Sequence, residues 1–398
     1  MSNHSRRRFL QATGLAAAHL LTANQAFPAP YAKQAADLKK KIKITDVKCM
    51  IVRGTWDWNL IRIETDSGLY GIGEAYWGWG VKDLVVNKMK GIIVGEDPLN
   101  VDKLYTKMLM ESAGAGAIGG ATVTAASGIE IALWDLAGRI LQTPACNLLG
   151  GRFRDKVRFY RTTQVPAEHP EDLASWRDLV RRTRAEPQGW TAFKFQGDGI
   201  PSAMDPQYTQ PGHDRYLRNL NHGDIVQIVK VMETVREELG PQGDFAIDLH
   251  WHYDVRDAIE LANALAPVKP MWIEDPTTPE NPETMAMVRQ HSPVPVCTGE
   301  NLYGFAGFQK LIELQGCDGV HIDIPKSGGL LESKRISDFA ASYGIWTAAH
   351  NPASPVAPSR QRMRRRPCAT SGFTNWRSGS TVGPIWSFMK DRSGRTVT

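Results

Sequence analysis

No two of the five cysteines (Cys49, Cys146, Cys297, Cys317 and Cys368) are spaced as CxxC or in any other metal-binding pattern. Three lie in apolar stretches, and the set reads as small buried hydrophobes rather than as redox or thiolate-metal chemistry. The chain also lacks a low-complexity tract and any apolar run long enough to cross a bilayer. A basic surface on the body is missing too. The formal net charge of +5 sits at the ends: residues 1–33 carry four basic residues and no acidic one, and residues 357–398 carry nine basic and one acidic. Residues 34–356 are left at −7, which argues against nucleic acid as a partner of the folded part. What remains is a chain of 398 residues, enough for one large domain or two ordinary ones.

The first 32 residues read as a signal peptide. A basic start is followed by a modestly apolar middle and small residues, too short and weak for a stable span. Arg6 and Arg7 before Phe9 and Leu10 resemble a twin-arginine export motif, so a periplasmic or otherwise exported protein without a membrane anchor after processing is expected. Residues 43–152 read as an α+β unit. "LIRIET" alternates as a strand, "DSG" turns it into a hairpin, and "TAASGIEIALWDLAGRIL" has helical spacing at Ile129, Leu133, Leu136 and Ile140.

From residue 153 the rhythm changes. Short apolar runs ("KVRFYRT", "TAFKFQ", "DFAIDLH", "MWIEDP", "VPVCTGE", "GVHID", "IWTAAHN") alternate with amphipathic helices. That alternation predicts a parallel sheet, and seven such strands favour a TIM-type (β/α) barrel over residues 153–356, with an eighth strand missing. Catalytic groups sit at the C-terminal ends of barrel strands. Here those ends carry Asp248, Glu274, Glu300, Asp323 and His350, separated by 26, 26, 23 and 27 residues, one βα unit each. Three carboxylates converging with no lysine among them would repel and raise one another's pKa, and a hard divalent cation such as Mg²⁺ resolves this in an all-oxygen site. Asp248, Glu274 and Glu300 are therefore the expected ligands. Asp323 beside His350 predicts an oriented general base. His250, two residues beyond Asp248, points the same way and is a candidate acid, whereas His252 and His321 read as structural.

These segments resemble the enolase superfamily, in its mandelate racemase/muconate lactonizing enzyme-like branch. "ASGIEIALWDLAGRILQTPACNLLGG" is similar to the capping-domain signature, and "DLH", "IEDP" and "GEN" to the three metal-ligand segments. The resemblance implies a capping domain over a modified barrel, Mg²⁺ as cofactor, a small-molecule sugar acid as partner, and a homo-oligomer. Racemases and lactonizing enzymes of the superfamily often carry Lys-x-Lys on the second barrel strand, where this chain has Lys194-Phe195-Gln196. Gln196 cannot accept a proton, which disfavours racemisation and points to acid-sugar dehydratases of the galactonate or gluconate type. An epimerase or racemase, a cycloisomerase, an inactive truncated protein or a sugar-acid-binding protein are the alternatives. By the same resemblance Lys194, Gln196 and Asn301 hold substrate, and "EAYWGWG" supplies a specificity loop with Tyr76, Trp77 and Trp79 facing it.

The tail is the anomaly. Five arginines lie within residues 360–366, and no periodicity follows where an eighth module belongs. "VAPSRQRM" can be written GTG GCA CCA TCG CGT CAG CGC ATG. One G inserted after GTG turns the same bases into "VGTIASAH", and allowed codons continue as a small-residue helix and a strand-like run. Residues 357–398 are therefore read as a frameshifted, non-native tail. An open barrel edge, low stability and little activity are expected of the chain as written. Resequencing codons 354–370 from two independent isolates is expected to restore "VGTIASAH"; an unchanged frame in both would make the tail genuine.

Overall fold

The computed structural model describes residues 42–53, 57–153, 157–163, 165–166, 171–200, 219–352, 354 and the backbone of 371–373. Residues 1–32, read as an export signal, Cys368 and all the tail except 371–373 lie outside the described residues. So does most of the long connection after the second barrel strand.

The alternation in the first unit produces an antiparallel sheet of β1 (Ile44–Arg53), β2 (Asp57–Thr65) and β3 (Tyr70–Ala75), in the order β1-β2-β3. Asn59, Ile61, Ile63 and Thr65 of β2 all point inward, as a period of two requires. The hairpin turn is closed by Thr65, whose hydroxyl donates to the Leu69 carbonyl at 2.7 Å, with Gly68 at φ +79°. Helices α1 (Val101–Glu111) and α2 (Gly120–Ile140) cover one face. Ile129, Leu133 and Leu136 are fully buried in α2, and so are most residues from Thr122 onward. A helix buried on nearly every side has elements on both flanks, and here they are β3 and the barrel. Gly73 makes the close approach possible: a Cβ there would lie 2.3 Å from the Gly128 carbonyl oxygen of α2.

The second unit contains the seven expected parallel strands: β4 (Arg158–Thr163), β5 (Ala192–Gln196), β6 (Asp244–Asp248), β7 (Ile273–Glu274), β8 (Val296–Thr298), β9 (Gly319–Asp323) and β10 (Trp346–His350). Helices α3 (Leu173–Arg184), α4 (His222–Leu239), α5 (Val255–Leu265), α6 (Pro282–His291), α7 (Gly304–Glu313) and α8 (Gly329–Ser342) alternate with them. Tyr160, Ala192, Ala246, Trp272, Cys297 and Ala348 fill the barrel interior. Large rings there need small neighbours: a Cβ on Gly319 would fall within 2.4 Å of the Trp346 ring. Cys146 and Cys317 are buried as well, and Cys49 partly so.

The expected open edge is corrected. Strand β11 (Ser371–Phe373) pairs with both β10 and β4 and closes the barrel. It is three residues long and antiparallel to both neighbours, so it satisfies edge backbone groups without supplying an eighth βα module. Among the described residues no helix is long and apolar enough to cross a membrane.

Glu130 joins cap to barrel. Its carboxylate accepts from Leu330 N at 2.8 Å and Leu331 N at 3.0 Å, capping the start of α8, and from Trp134 Nε1 at 2.6 Å. Burial pushes its pKa from 4.5 up to about 7, against those three hydrogen bonds. A carboxyl raised in the folded state contributes stability that is full below pH 4.5 and lost as pH climbs through about 7. The stability of wild type relative to Glu130→Gln is therefore expected to fall as pH rises across that window, read from denaturation midpoints at each pH. A relative stability of wild type that rises with pH would refute the assignment.

Candidate active site

Parallel pairing puts the strand-end residues side by side. Gln196 pairs with Asp248, Asp248 with Glu274, and Asp323 with His350. Glu300 follows β8 after Gly299, whose φ of +132° turns the chain over the rim. Asp248, Glu274, Glu300 and Asp323 are all buried, as is Asp275. The five sequence-predicted groups thus share one rim.

The premise that no lysine stands among them is corrected. The ammonium of Lys194, which is 3% exposed, lies 2.7 Å from Asp248 Oδ2 and also bonds Glu274 Oε1. It sits one strand layer below Gln196, the period of two placing both on the inner face. Burial works against its charge, but Asp248 and Glu274 outweigh burial and hold its pKa well above the usual value. Burial likewise raises Asp248, helped by the Glu274 charge and opposed by Lys194 and His250. In Glu274 burial is overcome by His321 and Lys194, and the carboxyl is held well below its usual value.

His350 stands between two carboxylates. Its Nδ1 is 2.7 Å from Asp323 Oδ2 and its Nε2 is 3.0 Å from Glu300 Oε2. Burial disfavours the imidazolium, yet Glu300 and Asp323 together raise its pKa. His250 lies at the other flank of the rim, with Nε2 3.5 Å from Asp248 Oδ2 and Nδ1 3.0 Å from Asp198 Oδ1. Burial opposes its charge too, but Asp248 and Asp198 push its pKa up to about 10.

The donor chemistry fits a hard divalent cation. Five buried carboxylates crowd a rim where the Lys194 ammonium bonds two of them, Asp248 and Glu274, and Asp275 Oδ2 and Asp323 Oδ1 are buried without a hydrogen-bond partner. Donor atoms of Glu274, Glu300 and His321 all lie within 4.8 Å of one another. Asp248 reaches Glu274 through Lys194.

The remaining expected residues divide. Tyr76 comes to the site, its ring centroid 6.3 Å from that of His350. Trp77 packs 5.7 Å from Tyr76 but is 40% exposed, and Trp79 is 97% exposed, so neither is brought into the cluster. Asn301 accepts from the Lys326 ammonium at 2.6 Å, and that ammonium lies over the rings of Tyr76 and Tyr303 at 5.0 and 5.7 Å. His321, read as structural from sequence, is fully buried 3.2 Å from Glu274, with Nε2 3.1 Å from the Tyr160 hydroxyl. The same period of two could have found it, because His321 precedes Asp323 by two on an inward-facing strand. Asp198 sits in the turn after β5 and Lys326 in the short helix Ile324–Ser327 after β9, and neither carried such a signal.

A capped (β/α) barrel with an acid–base rim of buried carboxylates and paired imidazoles defines a class of enzymes. Residues 42–150 match the mandelate racemase/muconate lactonizing enzyme N-terminal domain, and residues 176–365 match the enolase C-terminal domain-like family. The chain belongs to the mandelate racemase/muconate lactonizing enzyme group of the enolase superfamily. The D-xylonate dehydratase of Haloferax volcanii is 38% identical over 315 residues, 79% of this chain and 73% of that one. The crystal structure of a mandelate racemase/muconate lactonizing enzyme-like protein from Rubrobacter xylanophilus superposes with a TM-score of 0.72 at 34% identity, covering 80% of this chain and 81% of that one. The 3,6-anhydro-D-galactonate cycloisomerase from Zobellia galactanivorans gives 0.64 at 26%, covering 77% and 80%.

Removing a partner from a buried ion pair leaves an uncompensated charge. Lys194→Met is expected to destabilise the metal-free protein by about 3–5 kcal/mol, measured by chemical denaturation. A cost below 1 kcal/mol would mean that Lys194 does not neutralise the rim.

Proposed function

We propose that this protein is a Mg²⁺-dependent acid-sugar dehydratase that converts an aldonate to a 2-keto-3-deoxy acid. The carrying observation is the His350–Asp323 dyad, 2.7 Å apart, facing the carboxylate cluster from one side while His250 faces it from the other. The similarity to D-xylonate dehydratase supports the reaction class. Asp248, Glu274 and Glu300 would hold the metal. Bound there, Mg²⁺ would draw electron density from the substrate carboxylate and acidify the α-proton.

The chain's own residues account for the proton movements. Asp323 orients His350 so that Nε2 faces the rim and takes the α-proton. The resulting enediolate expels the β-hydroxyl, which leaves as water with a proton from His250 Nε2. The enol then tautomerises to the 2-keto acid. Gln196 is no base, so only one flank removes a proton. The Tyr76 ring covers part of that flank, its centroid 6.3 Å from that of His350.

Turnover is expected to be slow, because three antiparallel residues stand where a βα module would add its rim residue. The experiment is therefore a long incubation of a pentonate and hexonate panel in D₂O, read by mass spectrometry. Mg²⁺-dependent loss of water with a 2-keto-3-deoxy product is expected, abolished by chelator and reduced ~10²–10⁴-fold in His350→Asn. Deuterium at the α-carbon without loss of water would replace dehydration by epimerisation. A cyclised isomer would favour the cycloisomerase reading, which the likeness to the Zobellia enzyme supports.

A further inference from the structure

The rim holds a second carboxylate–imidazole pair built like the first. In His350, Nδ1 faces Asp323 at 2.7 Å and Nε2 faces Glu300 at 3.0 Å. In His250, Nδ1 faces Asp198 at 3.0 Å and Nε2 faces Asp248 at 3.5 Å. Each imidazole thus gives Nδ1 to one carboxylate and turns Nε2 toward another, Glu300 or Asp248. We propose that Asp198 is the positioning residue of His250, so that each of the two proton transfers of dehydration has its own dyad.

The pair is not two long surface side chains meeting by chance. Both partners are short and stand on backbone fastened to β6. Gly197 N donates to the Asp248 carbonyl at 2.8 Å, and a Cβ on Gly197 would lie 2.8 Å from Ile247 Cγ2 and 2.9 Å from Leu249 Cδ2. The segment bearing Asp198 therefore lies tight against the strand. On the other side, His250 and Trp251 take φ values of +43° and +50°, a left-handed conformation costly for two successive non-glycine residues. Backbone bonds from Leu249 N to Glu274 O (3.0 Å) and from Trp251 N to Asp275 O (2.5 Å) hold it. That turn carries the His250 ring back over the rim. A carboxylate that accepts from Nδ1–H fixes the ring flip and leaves Nε2 as the nitrogen offered to the β-hydroxyl.

This inference rests on the dehydratase reading, and two measurements on the full chain separate their failures. The first compares wild type, Asp198→Asn and Asp198→Ala for α-proton exchange and water loss in D₂O. Water loss is expected to fall ~10²-fold in both variants, while α-exchange by the His350 dyad and KM stay within about threefold. Water loss unchanged, or exchange and water loss falling together, overturns the role of Asp198. The second needs no turnover: the ring ¹⁵N shifts of His250, assigned by their loss in His250→Gln. A protonated Nδ1 in wild type that loses its fixed pattern in Asp198→Asn supports the pairing, and an identical pattern in both overturns it. Wild type that performs no water loss, with the ¹⁵N pattern as expected, rejects the dehydratase reading and keeps Asp198 as the residue that orients His250.

Discussion

Crowding of like charge at the ends of parallel strands is the constraint on which this structure turns. Parallel pairing in register places Asp248 directly against Glu274, and βα units of similar length deliver Glu300 and Asp323 to the same rim. Buried carboxylates at such spacing cannot all ionise unaided. Lys194 answers part of that demand from within the barrel, through two carboxylates at once. His350 and His250 answer part from the flanks. The unpartnered oxygens of Asp275 and Asp323 mark what these cations leave over.

The same crowding explains how two imidazoles become useful. An imidazole whose Nδ1 meets a carboxylate has a fixed flip, and here each Nε2 is turned toward a carboxylate of the rim. His350 meets this condition through neighbouring strands, because Asp323 and His350 are register partners. His250 meets it through a left-handed turn after β6 and a loop residue after β5. The cap completes the site from outside. α2 lies backbone to backbone on β3, Glu130 ties it to α8, and Tyr76 N donates to the Pro325 carbonyl at 3.1 Å.

Seven barrel strands and the cap hairpin were legible because each leaves a periodic trace: alternation for the half-buried β2, continuous apolar runs for strands covered on both faces. The ligand-type residues were legible for the same reason, as each ends such a run at one-module spacing. His321 was legible by the period of two and was nonetheless read as structural, since a histidine inside an apolar run is ordinarily a packed one. Lys194 was recognised but put with the substrate, because sequence order says which face a residue occupies and not how deep it reaches. Trp79 shows the converse: an aromatic loop signals importance, but not which ring turns inward.

What the sequence determined by itself was local: strand and helix periods, the order of modules, and the residue type at each strand end. Tertiary structure decided the distances. Closure of the barrel by Ser371–Phe373 pairs segments more than two hundred residues apart along the chain, and no local pattern announces an antiparallel strand there. The Asp198–His250 and Lys194–Glu274 contacts likewise join residues 52 and 80 positions apart. Such contacts depend on how neighbouring strands are staggered and how loops return over the rim, and that is fixed only when the whole barrel packs.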